Sequence, residues 1–406
     1  MSRAYKFWLL TSLYLAQGLP YGFFTQALPV LMREQGLSLK AISATGLLFL
    51  PWMLKFLWAP VMDRQTHWRP WLLLLQLASA AIALLAAMLD LQHGLWMLFI
   101  TLLLFNVVAA TQDILTDGLA VNVLSRAERG IGNGIQVGAY RVGMIFGGGL
   151  LLWVFARSGW TTMFLGMAAL LLLTTLPVPW LKASREVVVQ MKYGHPLLNG
   201  WWNRLRQPGT TGFILLLCGY KFGDSMAASL VGPFMLDSGL DKEQIALLKG
   251  AIGSSTSLLG ATAGGWIAFR LGRRTAMLGC GLLQSASLVF YCLYALHIGG
   301  LPMLWTASIA EHLLGGMATV ALFTLMMDAS DPQHASTDYT LLSCAAIVAM
   351  GLASFVGATI ADAAGYPGLF VVATVLSTLG CLTLVRSLDR GNGPQRLQSV
   401  WKISET

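Results

Sequence analysis

GLWMLFITLLLFNVVAATQDILTDGLAVN, residues 94–122, is apolar over a length that crosses a bilayer, yet it carries Asp113 and Asp117. A transmembrane helix needs about 20 mostly apolar residues. A charge at bilayer depth costs at least ~2.5–3.5 kcal/mol on insertion scales, so it persists where it lines a watery cavity or meets another charge. The pattern repeats: Lys55, Arg141, Lys221, Asp224 and Glu311 each stand inside another apolar stretch. The 406 residues are 56% hydrophobic and 11% charged, with a mean hydropathy of +0.67, a balance that excludes a soluble domain of this size. Charges embedded in such a chain point to a membrane transporter.

Apolar windows lie around residues 7–32, 42–60, 70–89, 94–122, 131–155, 160–181, 211–236, 245–268, 275–297, 302–327, 339–360 and 366–386. The sequence therefore predicts an all-α membrane protein with twelve transmembrane helices. The longest polar stretch lies within 182–210 and leaves six helices on each side. The expected organisation is a bundle over 1–181, a cytoplasmic linker over 182–210, a second bundle over 211–386 and a cytoplasmic tail over 387–406. With the N-terminus inside, the inner segments hold 18 of the 26 Lys and Arg, whereas Arg33, Lys40, Arg157 and Lys242 fall outside. The positive-inside rule thus puts both termini in the cytoplasm. The net charge of +8 reflects this bias and needs no nucleic-acid partner. Arg3 and Lys6 precede an apolar run, but no small-residue cleavage site follows, so the first helix is expected to be retained. The five cysteines fall within spans without metal spacing, and no metal or cofactor is expected. Trp8, Trp68, Trp71, Trp160 and Trp180 fall near span ends and read as an interfacial belt.

An offset of 206 residues places Asp63-Arg64, after the second span, opposite Phe269-Arg270, after the eighth, and such symmetry marks transporters whose halves rock about a central site. GWIAFRLGRR, Gly265–Arg274, resembles the G-x-x-x-D-R-x-G-R-R loop of the major facilitator superfamily, with Phe269 in place of the acid. APVMDR, Ala59–Arg64, is its counterpart, with the Asp-Arg pair intact and alanine replacing the glycine. The resemblance implies the two-bundle fold and a lopsided cytoplasmic latch formed by Asp63, Arg64, Arg270, Arg273 and Arg274. The alternative for these loops is plain positive-inside flanking.

A narrower resemblance spans most of the chain. KFLWAPVMDR (55–64), ATQDILTDG (110–118), AERGIGNG (127–134), GAYRVGM (138–144) and GYKFGDSMAASL (219–230), with Glu311 and the glycines after it, resemble the AmpG-type muropeptide permease family. That family usually carries two additional spans, for which this chain has no room. The shorter branch of the resemblance holds the RhtX/FptX-type siderophore permeases of Gram-negative bacteria, and the opening MSRAYKFWLLTSLYLAQGLPYGFFTQALPVL is similar to these. The resemblance, and not any spacing, implies an iron-siderophore substrate of the pyochelin kind and a bacterial inner-membrane location.

Helical spacing supplies the candidate site. Asp113 and Asp117 share one face of the fourth span, with Gln112 and Asn106 nearby, and Lys55 and Arg141 are their candidate partners. Lys221 and Asp224, three apart, are placed to neutralise each other. Glu311 adjoins His312, but adjacent helical positions point about 100° apart, which leaves Glu311 as the proton-carrier candidate. Gln17, Tyr21, Gln26 and Tyr220 are placed to hydrogen-bond and stack on a ligand. The expected substrate-binding set is Gln17, Tyr21, Lys55, Arg141, Tyr220 and Lys221, and the proton-coupling set is Asp113, Asp117, Asp224 and Glu311. The alternative for these charges is structural: ion pairs that hold helices together. The fifth-span glycines from Gly130 to Gly149 read as helix packing.

The function expected is proton-coupled import of an anionic iron-siderophore chelate by alternating access, carried out by a monomer. The second reading is muropeptide uptake. A membrane-embedded enzyme or a transporter-like sensor is the alternative of another class, but no Walker loop, HExxH or GxSxG is present and no segment is long enough for a sensor domain.

Overall fold

The computed structural model describes residues 1–34, 45–65, 67–89, 95–182 and 196–401. Lys40, and Arg185, Lys192 and Lys402 among the 18 inner Lys and Arg, lie outside the described residues. Among the described residues the regular elements are helical throughout, and they form twelve crossings. Seven continuous helical stretches are long and apolar enough to span a membrane. Two of these hold two crossings each, because Leu151–Thr175 passes through Gly159 (φ 79°, ψ −179°) and Ala335–Asp389 through Gly365 (φ 70°, ψ 178°). Glycine alone adopts such backbone readily, so each of these residues reverses the chain between neighbouring spans.

The first, second, fifth and eighth crossings are broken rather than continuous, the fifth by a π-helical turn at Phe146–Leu150. The first runs over Arg3–Gly22, a π-helical turn at Phe23–Ala27, and Leu28–Glu34. In the second, Pro51 and Pro60 each sit in the first turn of a short helix, Leu50–Leu54 and Ala59–Asp63, with a 3-10 turn at Lys55–Leu57 between them. Proline at a helix start loses no intrahelical bond, whereas in the interior it breaks one. The eighth joins Lys242–Ile245, a π-helical turn at Ala246–Ile252, and Gly253–Arg270. The remaining long crossings are Trp68–Ala87, Leu95–Val123, Thr210–Asp237, Gly272–Ala295 and Gly300–Ala329, and the fifth opens at Arg129–Ile145.

The helices divide into two compact units. Unit 1 comprises Met1–Leu124, Gly138–Trp201 and Pro332–Thr340; unit 2 comprises Ser125–Val137, Trp202–Asp331 and Leu341–Thr406. The start of the fifth span thus packs in unit 2 and the start of the eleventh in unit 1.

Within unit 1 the first and fifth spans meet through glycine. A Cβ on Gly143 would strike the Leu15 carbonyl, and one on Gly147 the Leu19 carbonyl. Backbones this close gain dispersion contacts that lipid does not supply, which agrees with the packing role expected of these glycines. Phe23, Phe105, Phe164 and Met167 fill the core beside that seam. Trp68 departs from the interfacial belt: its ring turns inward and is buried with Leu72, Ile114 and Leu119, although His67, Arg69 and Pro70 around it are exposed, whereas Trp8 and Trp180 stay about half exposed. Unit 2 has its own aromatic core, in which Tyr291 and Phe370 stack with centroids 5.3 Å apart and Phe234 packs edge-on to Phe370.

Candidate functional site

In unit 1 the second span delivers Lys55, 2% exposed, to Asp113 of the fourth span as a buried ion pair. The 3-10 turn that carries Lys55 is irregular backbone at membrane depth, which is tolerated when protein covers it. The ammonium also lies over the Trp52 ring, 5.5 Å from its centroid, and Trp52 Nε1 donates to Asn106 Oδ1 at 2.9 Å. One helical turn beyond Asp113, Asp117 accepts a hydrogen bond from the Tyr14 hydroxyl at 2.9 Å. Asp113 thus meets a lysine and Asp117 a phenol.

Tyr14, Gln17 and Tyr21 fall on one face of the first span. Tyr21 packs against Phe49, Trp52 and Tyr140, with centroids 5.6, 6.1 and 5.4 Å away. Arg141 follows Tyr140, whose ring packs on Tyr21, on the fifth span. Both polar atoms of the Gln17 amide are buried without a hydrogen-bond partner, as is Gln112 Nε2. A buried orphan amide costs about 1–3 kcal/mol, so a ligand or an ordered water that satisfies it is favoured.

In unit 2 Lys221 Nζ lies 2.7 Å from Asp224 Oδ2, the i, i+3 pair that the spacing predicts. Tyr220, on an adjacent helical position, goes elsewhere: its ring packs against Gly281 and Cys381. Glu311 and His312 meet despite their angular offset, because His312 Nδ1 reaches Glu311 Oε2 at 2.8 Å as well as the Ser308 carbonyl at 2.8 Å. Lys249 stands in a turn that packs against the span carrying Glu311. It sits in the π-helical turn Ala246–Ile252, and such turns recur at functional sites.

The residues read as one latch take separate places. Asp63 is 1% exposed and accepts from the backbone N–H groups of Ser336 and Thr337, both at 2.9 Å, and from the Thr337 hydroxyl. It thus caps the N-terminus of the helix that opens at Ala335, where a carboxylate also meets the positive end of the helix dipole. Arg273 donates to Asp328 at 2.6 Å and to the Ala268 carbonyl, while Arg129 donates to the other oxygen of Asp328 at 2.8 Å. Arg274 forms a two-point pair with Asp389 at 2.9 and 3.0 Å, and Arg270 lies over the Phe269 ring. Arg64 is half-buried beside Asp63 in sequence. Arg129 and Asp328 escaped the sequence reading because each stands at a span end and looks like an ordinary loop charge. At the repeat offset Asn122 lies opposite Asp328 and Phe269 opposite Asp63. One copy keeps the capping acid; the other keeps the arginine–aspartate cluster.

The Major Facilitator Superfamily profile matches residues 10–220 and 213–400. The chain belongs to the major facilitator superfamily. It is 30% identical over 392 residues to the anhydromuropeptide permease of Escherichia coli K12, a match covering 91% of this chain and 77% of that protein. An uncharacterized protein of Haemophilus influenzae is also 30% identical, over 92% of this chain and 93% of its own length. A putative transporter of Rickettsia conorii, AmpG 4, is 21% identical over 92% of this chain and 94% of its length. Among solved structures, a proton:xylose symporter superposes with a TM-score of 0.73 over 99% of this chain at 12% identity, covering that whole chain. A bacterial homologue of the iron transporter ferroportin, in its outward-facing state, gives 0.70 over 96% of this chain and all of its own at 16% identity. At these identities the structures show the fold alone. The protein is a multi-pass secondary transporter rather than an enzyme. These relatives lend no support to the siderophore branch of the resemblance.

Proposed function

We propose that the protein imports a muropeptide-type solute across the bacterial inner membrane. The observation that carries this reading is the 30% identity to the anhydromuropeptide permease along 91% of the chain. Muropeptides join an amide-bearing sugar to an acidic peptide. Aromatic faces from Tyr21, Phe49, Trp52 and Tyr140 suit a sugar ring, the unpaired Gln17 and Gln112 amides suit its acetamido group, and Arg141, Lys55 and Lys221 suit carboxylates. Tyr220, turned toward Gly281, supports the site by packing.

Energy comes from an ion gradient. Moving one charge through 100 mV yields about 2.3 kcal/mol. Asp113, Asp117, Asp224 and Glu311 are the proposed proton carriers. Asp63, with Arg64, and the Arg273–Asp328–Arg129 cluster, with Arg270 and Arg274, are the proposed latch elements on the cytoplasmic side. The bundles are proposed to span 1–181 and 211–386, joined by the 182–210 linker, with the 387–406 tail and both termini cytoplasmic, in a monomer.

Uptake of an iron-siderophore chelate is the second reading, resting on the opening sequence and the short chain. The test is uptake of labelled anhydromuropeptide and of labelled ferric siderophore by right-side-out vesicles under an imposed pH gradient. Muropeptide uptake abolished by an uncoupler supports the first reading. Transport of the chelate alone replaces it with the second.

A further inference from the structure

We propose that unit 2 holds one anionic phospholipid in a groove between the seventh and twelfth spans. The cavity measures about 750 Å³, within the ~300–1,000 Å³ that ligand pockets occupy. Gly212, Leu215, Gly219, Leu376 and Leu379 line its length, and Thr383, Ser387 and Asn392 line the end near the start of the seventh span.

The groove exists because side chains are missing where the two spans diverge. A Cβ on Gly212 would meet nothing within 4 Å. Deeper in the membrane the spans touch, since a Cβ on Gly223 would strike the Ser377 amide and one on Gly380 the Gly219 carbonyl. At the opposite end Gly209 approaches the Gly393 carbonyl, where a Cβ would stand 2.5 Å from the oxygen. The result is a slot closed above and below. Its rims, Leu215 at 68% and Leu379 at 53% exposure, face outward, so in a bilayer the slot opens sideways onto acyl chains. An empty slot there would leave its apolar lining without packing partners, and a lipid tail supplies them.

Charge decides the headgroup. Arg206, Arg386 and Arg390 flank the lining residues Gly209, Ser387 and Asn392 in the chain. All three are exposed, and among the described residues none has an ion pair, whereas nearby Arg204, Arg274 and Arg396 are paired with Asp331, Asp389 and Asp331. Arg206 lies over the exposed Trp202 ring at 4.8 Å, an aromatic–cation arrangement suited to headgroup depth. Basic pockets between transmembrane helices bind anionic headgroups. The hydroxyls of Thr383 and Ser387 and the Asn392 amide are placed to hydrogen-bond a phosphate or glycerol at the same end.

Native mass spectrometry of the full-length protein in detergent, with phosphatidylglycerol or phosphatidylcholine of identical acyl chains added, tests this without reference to any transported solute. The wild type should retain one phosphatidylglycerol in preference to phosphatidylcholine. Gly212→Leu puts its side chain into the open slot and should lower retention at least tenfold, while Gly212→Ala stays near wild type. Replacing Arg206, Arg386 and Arg390 together by Gln should erase the preference for the anionic lipid. Equal retention of both lipids by the wild type, or undiminished retention by a Gly212→Leu protein that melts normally, overturns the proposal. Should Gly212→Leu not fold, a phosphatidylglycerol with a photoreactive acyl chain decides on the wild type. Labelling within 209–222 or 376–393 supports the groove, and labelling only elsewhere sinks it.

Discussion

Lys221 and Asp224 sit three residues apart on one helix and pair at 2.7 Å, with both side chains about nine-tenths buried. Breaking a buried pair by removing one partner costs about 3–5 kcal/mol, because the other charge is left uncompensated, whereas replacing both can be nearly neutral. Lys221→Met and Asp224→Leu should each lower the melting temperature in detergent, and the double variant should recover most of the loss. A double variant no better than the worse single one would mean the two residues act independently. Arg141 and Glu311 are set apart by what each can do. Arg141→Ala removes a fork-shaped donor, so it should mainly weaken substrate binding, read as a raised half-saturation concentration in vesicle uptake. Glu311→Gln keeps shape and hydrogen bonds but cannot carry a proton, so binding should persist while the pH dependence of uptake disappears. Wild-type pH dependence in Glu311→Gln would move the coupling role to another carboxylate.

The broken helices and capped termini carry the next set of expectations. Asp63 satisfies two backbone N–H groups at the start of the eleventh span, and a buried N–H left without a partner costs about 1–3 kcal/mol. Asp63→Ala should therefore destabilise, while Asp63→Asn, which keeps one acceptor oxygen but loses the charge–dipole attraction, should lose less. Asp328 holds two guanidiniums at once, so Asp328→Asn should cost more than Asp63→Asn, about 3–5 kcal/mol. Thermal melting of the two variants side by side checks the order. An equal or smaller loss for Asp328→Asn would show that Arg129 and Arg273 are held by their contacts with the Met327 and Ala268 carbonyls instead.

At the scale of the whole molecule the orientation is the consequence to test. Asn203 is exposed in the short helix Pro196–Leu205, which follows the undescribed part of the linker. Asn203→Cys, with the wild type as background, should react with a membrane-impermeant maleimide in inverted vesicles and not in right-side-out ones. Reaction from the periplasmic side alone would reverse the topology and with it the assignment of the latch elements to the cytoplasm.

Apolar length and embedded charge were enough to establish a twelve-crossing membrane transporter, because the bilayer fixes span length and makes every buried charge conspicuous. Local spacing was enough for Lys221–Asp224, since residues three apart on a helix are neighbours whatever surrounds them. Lys249 stands in the apolar window 245–268 and is as conspicuous there as Lys55 in its own span. Tertiary structure alone decided which distant charges meet. Lys55 joins Asp113 while Asp117 goes to Tyr14, and Asp328 gathers Arg129 and Arg273 from two other helices. Helical periodicity specifies the face a side chain occupies, but the partner opposite that face depends on how helices far apart in sequence pack. That packing rests on glycine contacts, such as Gly143 on Leu15, whose pairing no periodicity encodes.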